Sequence, residues 1–357
     1  MKKLMSAILS MCIALSMCSV PSIAAGTNSG PEMKVNFIDV GQADSILIEL
    51  PNKQTMLIDA GTNEAGATVV NYIKSLGYTK LDYVIGTHPH EDHIGGMDDV
   101  IKSFSIGKIY MPKATTTTQT YEDVLTTIQN KKLKISTAKS GVNIIKNTNL
   151  TADIIAPVKD SYQDLNNYSA VVKIAYGTTS FLFMGDAETE SENQITANIK
   201  ADVLKVGHHG SNSSTSTTFL KKVSPKYAVI SVGKGNSYGH PADTTIAALK
   251  TAGATVYRTD LDGTIIVQSD GKNITVNKKA SPVKSTAPPA SLNSSPSSSI
   301  STPQTATDNQ SETVYVTRTG KKYHRNGCRY LSKSKIPMSL SEARKFYEPC
   351  SVCNPPA

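Results

Sequence analysis

The order of apolar and polar positions predicts a strand-rich domain between residues 33 and 278. Its first three apolar runs predict consecutive strands at 35–40, 45–50 and 54–59, with a turn between the second and third. Further strands are predicted at 108–111, 152–156, 170–175, 180–184, 202–206, 227–232, 255–258 and 264–268, and helices at 67–76, 121–129, 188–199, 216–222 and 242–251. Two blocks of strands with helices between them indicate two sheets packed face to face and covered outside by helices.

The pattern changes at residue 279, where serine, threonine, proline, alanine and asparagine replace most apolar residues. Residues 279–312 cannot bury enough apolar surface to offset the entropy of ordering, so a disordered linker is predicted. Patterned order resumes at Val314, which predicts a separate C-terminal module at 313–357.

The N-terminus predicts export. Two lysines precede an apolar segment at 4–20, and Ser22-Ile23-Ala24 supplies small residues for a signal peptidase, so residues 1–25 are interpreted as a secretory signal peptide. A lipid anchor at Cys18 is an alternative, although Met17 is an unusual residue before a lipidated cysteine. No later segment has the roughly 20 apolar residues of a membrane span. We expect an extracellular protein without a transmembrane span.

Charge is distributed unevenly between the two parts of the chain. Residues 26–278 carry 24 lysines and arginines against 25 aspartates and glutamates, whereas residues 313–357 carry 9 against 2. The C-terminal module therefore has a net charge of +7, against +8 for the whole chain, and the large domain has no gross positive bias.

The most informative stretch is His88-Pro89-His90-Glu91-Asp92-His93, where four metal-binding side chains fall within six residues. It follows an apolar run at 81–87 that predicts a buried strand ending in a loop. Imidazoles and a carboxylate that meet at the end of a strand suit Zn²⁺, Mn²⁺ or Fe²⁺. All seven histidines of the chain lie in comparable motifs, which makes a chance cluster a poor explanation; they stand at 88, 90, 93, 208, 209, 240 and 324.

Further candidate side chains each lie at the end of a predicted strand or in the loop that follows it: these are Asp59, Asp186, His208, His209 and His240. Sheets of this kind commonly expose ligands in loops that follow their strands. We therefore expect these residues to serve the same site as the 88–93 stretch.

These motifs resemble the metallo-β-lactamase superfamily. The HxHxDH sequence at 88–93, the Gly185-Asp186 pair and the HHGS sequence at 208–211 carry the resemblance. The runs Asp39-Val40-Gly41-Gln42-Ala43-Asp44 and Asn236-Ser237-Tyr238-Gly239-His240-Pro241 are similar to the soluble hydrolase domain of ComEC competence proteins. The resemblance covers about residues 33–270 and implies an α+β fold, the four-layer αβ/βα sandwich, with two divalent metal ions (Zn²⁺ or Mn²⁺) in its site.

The resemblance implies a ligand set in which two histidines hold the first metal, an acid and a histidine hold the second, and a further acid bridges them. By this resemblance His88 and His90 hold the first metal, Asp92 and His93 hold the second, and Asp186 bridges them, with His208 completing the set. It also implies hydrolysis by a metal-bridging hydroxide, which suits phosphodiesters as well as lactams or esters.

One departure from the superfamily pattern concerns the first metal. Many superfamily hydrolases have another histidine between the first cluster and the bridging acid, but this chain has none between residues 93 and 208. A water molecule or Asn167 could take that place, so the occupancy of the first metal position stays open.

Three residues are candidate catalytic groups: Asp92, His209 and His240. The two histidines could donate to a phosphoryl oxygen or protonate a leaving group, or could instead only support the ligands. Asp59 is expected to orient a ligand histidine through its second ring nitrogen. Asp39 and Asp44 could either fix their loop or belong to the site.

The C-terminal module has a second ligand set, His324-x3-Cys328 followed by Cys350-x2-Cys353. Outside the predicted signal peptide the chain has three cysteines, an odd number that does not suit a disulfide framework. Three thiolates and one imidazole close a tetrahedral structural zinc site, which a module this small needs because its core is limited. A disulfide between Cys350 and Cys353 with a free Cys328 is the alternative.

The module resembles the small Ada-like metal-binding modules, with His324 in place of one cysteine. Basic residues crowd its N-terminal half: Arg318, Lys321, Lys322, Arg325 and Arg329. They could contact the phosphates of DNA or anionic cell-wall polymers, or they could carry ordinary solvated charge.

Together these observations predict an exported dinuclear metal-dependent hydrolase, a phosphodiesterase or nuclease. A hydrolase of another bond (a lactam, a lactone or a phosphorylcholine ester) is the first alternative, and a non-catalytic surface-binding protein is the second. Six convergent metal ligands argue against the second alternative, because a scaffold has no need of them.

Overall fold

The structure is a computed structural model that describes residues 30–281, 313–317, 320–325, 328–331, 336–340, 343–344, 347–353 and 355–356. The predicted signal peptide, most of the predicted linker and Arg318 lie outside the described residues. The chain divides into two compact units, Met1–Ser285 and Thr286–Ala357. Within the described ranges, no helix has the length and apolar character needed to cross a bilayer.

The first unit contains fifteen strands and eight α-helices among its described residues. The strands are β1 Met33–Phe37, β2 Ser45–Glu49, β3 Thr55–Ala60, β4 Lys80–Ile85, β5 Ser105–Met111, β6 Ile135–Thr137, β7 Val142–Lys146, β8 Leu150–Ala156, β9 Val171–Tyr176, β10 Thr179–Phe183, β11 Val203–Lys205, β12 Tyr227–Ile230, β13 Thr255–Arg258, β14 Ile265–Ser269 and β15 Ile274–Val276. The helices are α1 Gly66–Ser75, α2 Glu91–Ile94, α3 Met97–Ser103, α4 Gln119–Asn130, α5 Thr189–Gln194, α6 Thr217–Val223, α7 Asp243–Thr251 and α8 Thr259–Asp262.

The strands form two sheets, as the sequence predicted. The eight-stranded sheet has the order β15-β14-β1-β2-β3-β4-β5-β6, and the seven-stranded sheet has the order β13-β12-β11-β10-β9-β8-β7. The strands from β3 to β6 are parallel to one another, and so are the strands from β10 to β13. Parallel strands end at a common edge, so the loops after them are brought together.

Alternate side chains of each central strand face opposite layers. In β10, Phe181 and Phe183 belong to the core between the sheets, whereas Leu182 packs in the core beneath the helices of the second sheet. The Phe37 ring lies 6.2 Å from the Phe183 ring, measured between centroids, across the two sheets. Leu57 in β3 likewise belongs to the core under the helices of the first sheet. The result is the predicted four-layer sandwich.

Several elements differ from the sequence prediction. The helix predicted at 188–199 ends at Gln194, because Ile195 is extended and residues 195–199 bury Ile195 and Ile199 as an irregular segment. The short helices α2 and α3, and the strands β6, β7 and β15, were not predicted. Their apolar runs are too short to show a clear period.

The second unit is a small four-stranded sheet. Its strands are β16 Thr313–Val316, β17 Lys322–His324, β18 Ile336–Ser339 and β19 Glu348–Pro349, in the order β18-β16-β17-β19. The larger apolar cluster among the described residues of this unit has five buried members: Val314, Val316, Tyr323, Leu340 and Ala343. A core of this size supplies little stability by itself.

Candidate metal centre

The candidate ligands of the first unit meet at one edge of the sandwich. Asp59 lies in β3, residues 88–93 follow β4, Asp186 follows β10 and residues 208–209 follow β11. These four segments come from both sheets, and their side chains contact one another as described below. We call the place where they meet the ligand edge.

His93 is oriented by a carboxylate behind it. Its Nδ1 lies 2.7 Å from Oδ2 of Asp59, which is fully buried. The backbone N–H and the hydroxyl of Thr87 both donate to the same carboxylate at 2.7 Å. Because the carboxylate accepts from Nδ1, the neutral ring presents the lone pair of Nε2 to the ligand edge. Asp59 therefore makes the orienting contact that the sequence indicated.

His209 is oriented in the same way by a backbone carbonyl. Its Nδ1 lies 2.9 Å from the carbonyl oxygen of Ser231, which can only accept. The neutral ring therefore carries its hydrogen on Nδ1 and a lone pair on Nε2. That Nε2 lies 3.3 Å from Oδ2 of Asp92 and 3.5 Å from Oδ2 of Asp186. His209 thus has the orientation of a metal ligand.

The chain places the histidine pair by adopting an unusual backbone conformation. His208 has φ 47° and ψ 50°, and His209 has φ 51° and ψ 24°, both in the left-handed region. A residue other than glycine in this region costs on the order of 1–3 kcal/mol, and such strain concentrates at functional sites. Gly210 follows with φ 82°, where an added Cβ would come within 2.6 Å of Pro241. The turn therefore brings two rings from one strand end toward the same space.

Asp186 lies at the centre of the cluster. Its Oδ2 is 3.2 Å from Nε2 of His93, 3.8 Å from Nε2 of His208 and 4.0 Å from Nε2 of His88. Four residues each offer a ligand atom within 4.8 Å of the others: Asp92, His93, Asp186 and His209. The side chains that lie far apart in the sequence are therefore brought to one point.

Three of these ligand atoms make no hydrogen bond to any described residue. They are Nε2 of His93, Nε2 of His209 and Oδ1 of Asp186, and all are buried. A buried polar atom without a partner costs about 1–3 kcal/mol, so such atoms are rare unless something else binds them. Imidazole nitrogens and a carboxylate oxygen that face one space are a suitable donor set for a divalent cation. The residues at the ligand edge therefore fit a metal.

The electrostatics of the cluster agree with this conclusion. Although burial opposes the charged ring, the surrounding carboxylates, Asp186 foremost, raise the pKa of His93 well above its usual value. Burial also opposes the carboxylate of Asp186, but the neighbouring rings, His93 foremost, hold its pKa well below its usual range. Burial lowers the pKa of His88 well below its usual value. Carboxylates that draw protons onto nearby rings are the groups that a bound cation neutralises.

The remaining candidate ligands are more loosely placed. Nε2 of His88 lies 2.9 Å from Nδ1 of His90, so these two rings contact each other. His208 is partly exposed, and its Nδ1 lies 3.2 Å from Oε1 of Glu188. The group of mutually close ligand atoms includes His209 rather than His208, so the structure gives His209 a more central place than the sequence indicated.

Asn167, which the sequence offered for the place of the missing histidine, is engaged elsewhere. Its side-chain oxygen accepts the backbone N–H groups of two residues in the segment after β10, both at 3.2 Å. The neighbouring Ser169 lies nearer the ligands: its hydroxyl accepts the N–H of Asp186 at 3.0 Å and is 3.4 Å from Nδ1 of His88. Asn167 therefore braces the loop that carries Asp186.

A buried ion pair beneath the ligand edge was not predicted. Nζ of Lys205 contacts Oδ2 of Asp44 and donates to the carbonyl oxygen of Gly185 at 3.2 Å. The side chains of Lys205 and Asp44 are 0% and 1% exposed, and Oδ1 of Asp44 lies 3.5 Å from Nδ1 of His209. The pair links β11 to the residue before Asp186 and to the loop between β1 and β2. The lysine within the apolar run of β11 was the sequence signal for it.

His240 lies beside the histidine pair. Its ring centroid is 5.5 Å from that of His208, and its Nδ1 is buried without a partner among the described residues. Burial lowers the pKa of His240 to about 4, so the ring is neutral at neutral pH. The Tyr238 ring, which is 70% exposed, stacks on it at 5.8 Å and an interplanar angle of 24°. Asp39, by contrast, is exposed and caps its own loop by accepting the N–H of Gly41.

The second unit contains the other predicted ligand set. His324, Cys328, Cys350 and Cys353 each offer a ligand atom within 4.8 Å of the others. Nδ1 of His324 lies 3.3 Å from Sγ of Cys328 and 3.8 Å from Sγ of Cys353. All three cysteines carry free thiols, so the alternative disulfide is not formed in this structure. Three thiols and an imidazole at this spacing fit a tetrahedral metal site.

Comparison with known proteins agrees with the fold. The family model of the metallo-beta-lactamase superfamily matches residues 38–234. The chain is 32% identical over 254 residues to ComE operon protein 3 of Bacillus subtilis, which covers 66% of this chain and 33% of that protein. It is 31% identical to competence protein ComA of Neisseria gonorrhoeae, over 66% of this chain and 32% of that protein. Recombination protein 2 of Haemophilus influenzae is 28% identical, over 67% of this chain and 29% of that protein.

The chain thus spans about a third of the length of the curated relatives that it matches. The part that matches contains every segment of the ligand edge, from Asp59 to His209. The resemblance to the ComEC-like branch is confirmed by these relatives. The chain is therefore a metallo-hydrolase that belongs to the metallo-beta-lactamase superfamily.

Proposed function

We propose that this chain is an exported phosphodiesterase that cleaves nucleic acid at the ligand edge. The observation that carries the proposal is the set of buried, unpaired atoms on His93, His209 and Asp186 that face one space. Such a set has no structural use without a cation, and the partly exposed side chains of Asp92 and His208 lie beside it. The same cluster argues against a non-catalytic scaffold.

Divalent cations bound there would lower the pKa of a water molecule and neutralise the charge on the attacking and leaving oxygens of a phosphodiester. The chain supplies the geometry for this chemistry. Asp59 and the carbonyl of Ser231 fix the ring tautomers of His93 and His209, so that both Nε2 atoms face Asp186. We propose His88, His90, Asp92, His93, Asp186, His208 and His209 as the metal ligands, with His209 added to the set that the sequence indicated.

His240 is placed to contact the substrate rather than the metals. Its low pKa makes it a neutral hydrogen-bond donor at neutral pH, so we assign it to a phosphoryl oxygen rather than to proton release. The exposed Tyr238 ring that stacks on it offers a flat aromatic surface beside the site. Nucleic-acid bases stack on such surfaces, and this favours a nucleic acid over a lactam.

The names of the relatives favour the same substrate. One of the similar proteins is named for competence and another for recombination, both of which involve DNA. The apolar N-terminal segment and its lysines support export, and the substrate would then be extracellular DNA. For the second unit we propose a structural Zn²⁺ held by His324 and the three cysteines.

The test is hydrolysis of bis-p-nitrophenyl phosphate and of DNA by protein reconstituted with Zn²⁺ or Mn²⁺. We expect both substrates to be cleaved, and Asp186→Ala to lower the rate at least a thousandfold because it removes the central carboxylate. Asp123→Ala, on the exposed face of α4, is the matched control and should keep full activity. Cleavage of nitrocefin without cleavage of either phosphodiester would make the chain a hydrolase of another bond.

A further inference from the structure

We propose that a pocket lined by three lysines beside the ligand edge binds a phosphate of the substrate strand adjacent to the one that is cleaved. The residues are Lys113, Lys139 and Lys159, and we call this site the lysine pocket. Its ligand is a phosphate group of a nucleic acid strand. The inference rests on the proposed phosphodiesterase function, and it adds the residues that would distinguish a polynucleotide from a small diester.

Strand direction places the three lysines on the side of the sandwich where the ligand edge lies. Lys113 follows β5 and Lys139 follows β6, and both strands run parallel to β3 and β4. Lys159 follows β8, which has the direction of β10 because both strands pair antiparallel with β9. The two sheets therefore bring lysines to the same edge to which they bring Asp59 and Asp186.

Backbone hydrogen bonds hold the three loops in place around the pocket. The N–H of Ala138 donates to the carbonyl of Met111 at 2.8 Å, and the N–H of Ser140 donates to the carbonyl of Pro157 at 2.9 Å. The cavity between the loops has a volume of about 110 Å³. Since one water molecule takes about 30 Å³ in the liquid, the cavity has room for a phosphate group with accompanying water.

The wall of the lysine pocket continues into the candidate metal centre. Tyr168 lines the pocket and closes the short 3₁₀ helix Leu165–Tyr168. The next residue, Ser169, accepts the N–H of Asp186 and contacts His88. Adjacent residues of the chain therefore line the pocket and contact Asp186, which places the pocket beside the ligand edge.

The pocket keeps most of its positive charge. Nζ of Lys159 lies 3.0 Å from Oε1 of Glu190, but these side chains are 54% and 47% exposed. An ion pair as exposed as this one contributes about 0–1 kcal/mol. Asp160 is the acid that lines the pocket itself. Lys113 and Lys139 are exposed and form no ion pair with any residue that the structure describes. The lining of the pocket therefore has three lysines and one acid, and this excess of positive charge favours the binding of an anion.

The test compares full-length Lys113→Gln/Lys139→Gln protein with Lys53→Gln/Lys146→Gln protein, which loses the same charge from exposed lysines. Lys53 precedes β3 and Lys146 ends β7, so strand direction puts both on the opposite edge. Binding of a fluorescent oligothymidylate is measured in an Asp186→Ala background, where turnover is blocked. We expect the pocket variant to bind about tenfold more weakly, and the slope of log Kd against log salt to shrink by about 0.7, since each single-strand phosphate contact contributes about 0.7 and the pocket binds one phosphate.

Turnover provides the second readout, in proteins that retain Asp186. The pocket variant should hydrolyse bis-p-nitrophenyl phosphate at the parental rate, because that diester has no neighbouring phosphate, and should cleave the oligonucleotide about tenfold less efficiently. Equal binding by the pocket variant and the parent, or an equal loss in the control pair, would overturn the proposal. Failure of the proposed function looks different, because the parent would then hydrolyse neither substrate.

Discussion

The two units of this chain each gather a set of metal-binding side chains, but they support it in opposite ways. At the ligand edge the side chains stand on two large sheets, and a second layer of groups such as Asp59 and Ser231 fixes their orientation. In the second unit, Cys328 and Cys350 are themselves the buried core of their half of the module, packed with Leu331. One site is built on a stable fold, whereas the other is a large part of its fold.

This difference indicates which role a metal would have in each unit, catalysis or folding. The two large sheets and their buried cores support the strained, left-handed residues His208 and His209, so a cation at the ligand edge would be free to serve chemistry. A module whose larger apolar cluster has five buried residues has no such reserve, and its cation would supply folding free energy. The metal at the ligand edge is thus expected to be needed for activity, and the metal of the second unit for folding.

The largest predicted effect tests this contrast in the second unit. Cys350→Ser removes a thiolate from a site whose zinc affinity in small modules corresponds to about 10 kcal/mol, so residues 313–357 should unfold. Bound zinc should fall by one equivalent, and limited proteolysis should cut within the module. Hydrolysis of bis-p-nitrophenyl phosphate should not change.

Ser351→Ala is the matched control, since it alters the neighbouring exposed position and leaves the ligand set intact. It should keep both the zinc and the resistance to protease. If Cys350→Ser protein stays resistant to protease, the contrast between the two units is wrong, because the module would then fold without its metal.

The second effect tests the scaffold of the ligand edge. Lys205→Met leaves the buried carboxylate of Asp44 without a partner, and breaking a buried ion pair in this way costs about 3–5 kcal/mol. The free energy of unfolding of the first unit, measured by urea denaturation, should fall by that amount. The control Lys102→Met breaks an ion pair with Asp98 in which the lysine is 56% exposed, and should cost less than about 1 kcal/mol. Equal losses in the two variants would mean that the buried pair has no special role.

The sequence indicated the candidate ligand segments because their chemistry is local. His88, His90, Asp92 and His93 lie within six residues, and Asp186 and His208 each follow an apolar run that predicts a strand. Because parallel strands end at a common edge, these segments are expected to meet there, so the sequence already indicates where the ligand edge lies. The two-sheet architecture followed from the same apolar runs, since strands buried on both faces leave a strong signal.

The rest depended on contacts between distant positions. The residue type of His209 does not specify the backbone conformation that turns its ring toward Asp186. The carbonyl of Ser231 that sets the tautomer of this ring belongs to no sequence motif. The partners of Lys205 lie 161 and 20 positions away, at Asp44 and Gly185. Pairings over such distances are set by packing, which a pattern of apolar positions does not specify.

The third effect concerns the substrate side of the ligand edge. His240→Ala should lower kcat/KM for bis-p-nitrophenyl phosphate about a hundredfold, because it removes a donor that would face a phosphoryl oxygen in the transition state. His240→Gln keeps an N–H donor and should lose less. The half-buried side chain carries little of the core, so the melting temperature should stay within a few degrees in both variants. Equal, small losses in the two variants would assign His240 a supporting role only.

The smallest effect concerns what the second unit contributes to binding. Five of its described basic residues are exposed: Lys321, Lys322, Arg325, Arg329 and Arg344. Deleting residues 313–357 in an Asp186→Ala background should weaken oligonucleotide binding about tenfold and flatten its salt dependence, because each phosphate contact contributes about 0.7 to the slope. The expected effect is modest because a few exposed side chains can contact only a few phosphates. An unchanged slope of log Kd against log salt would mean that these residues carry ordinary solvated charge. The second unit would then differ from the ligand edge in that it neither catalyses a reaction nor binds the substrate.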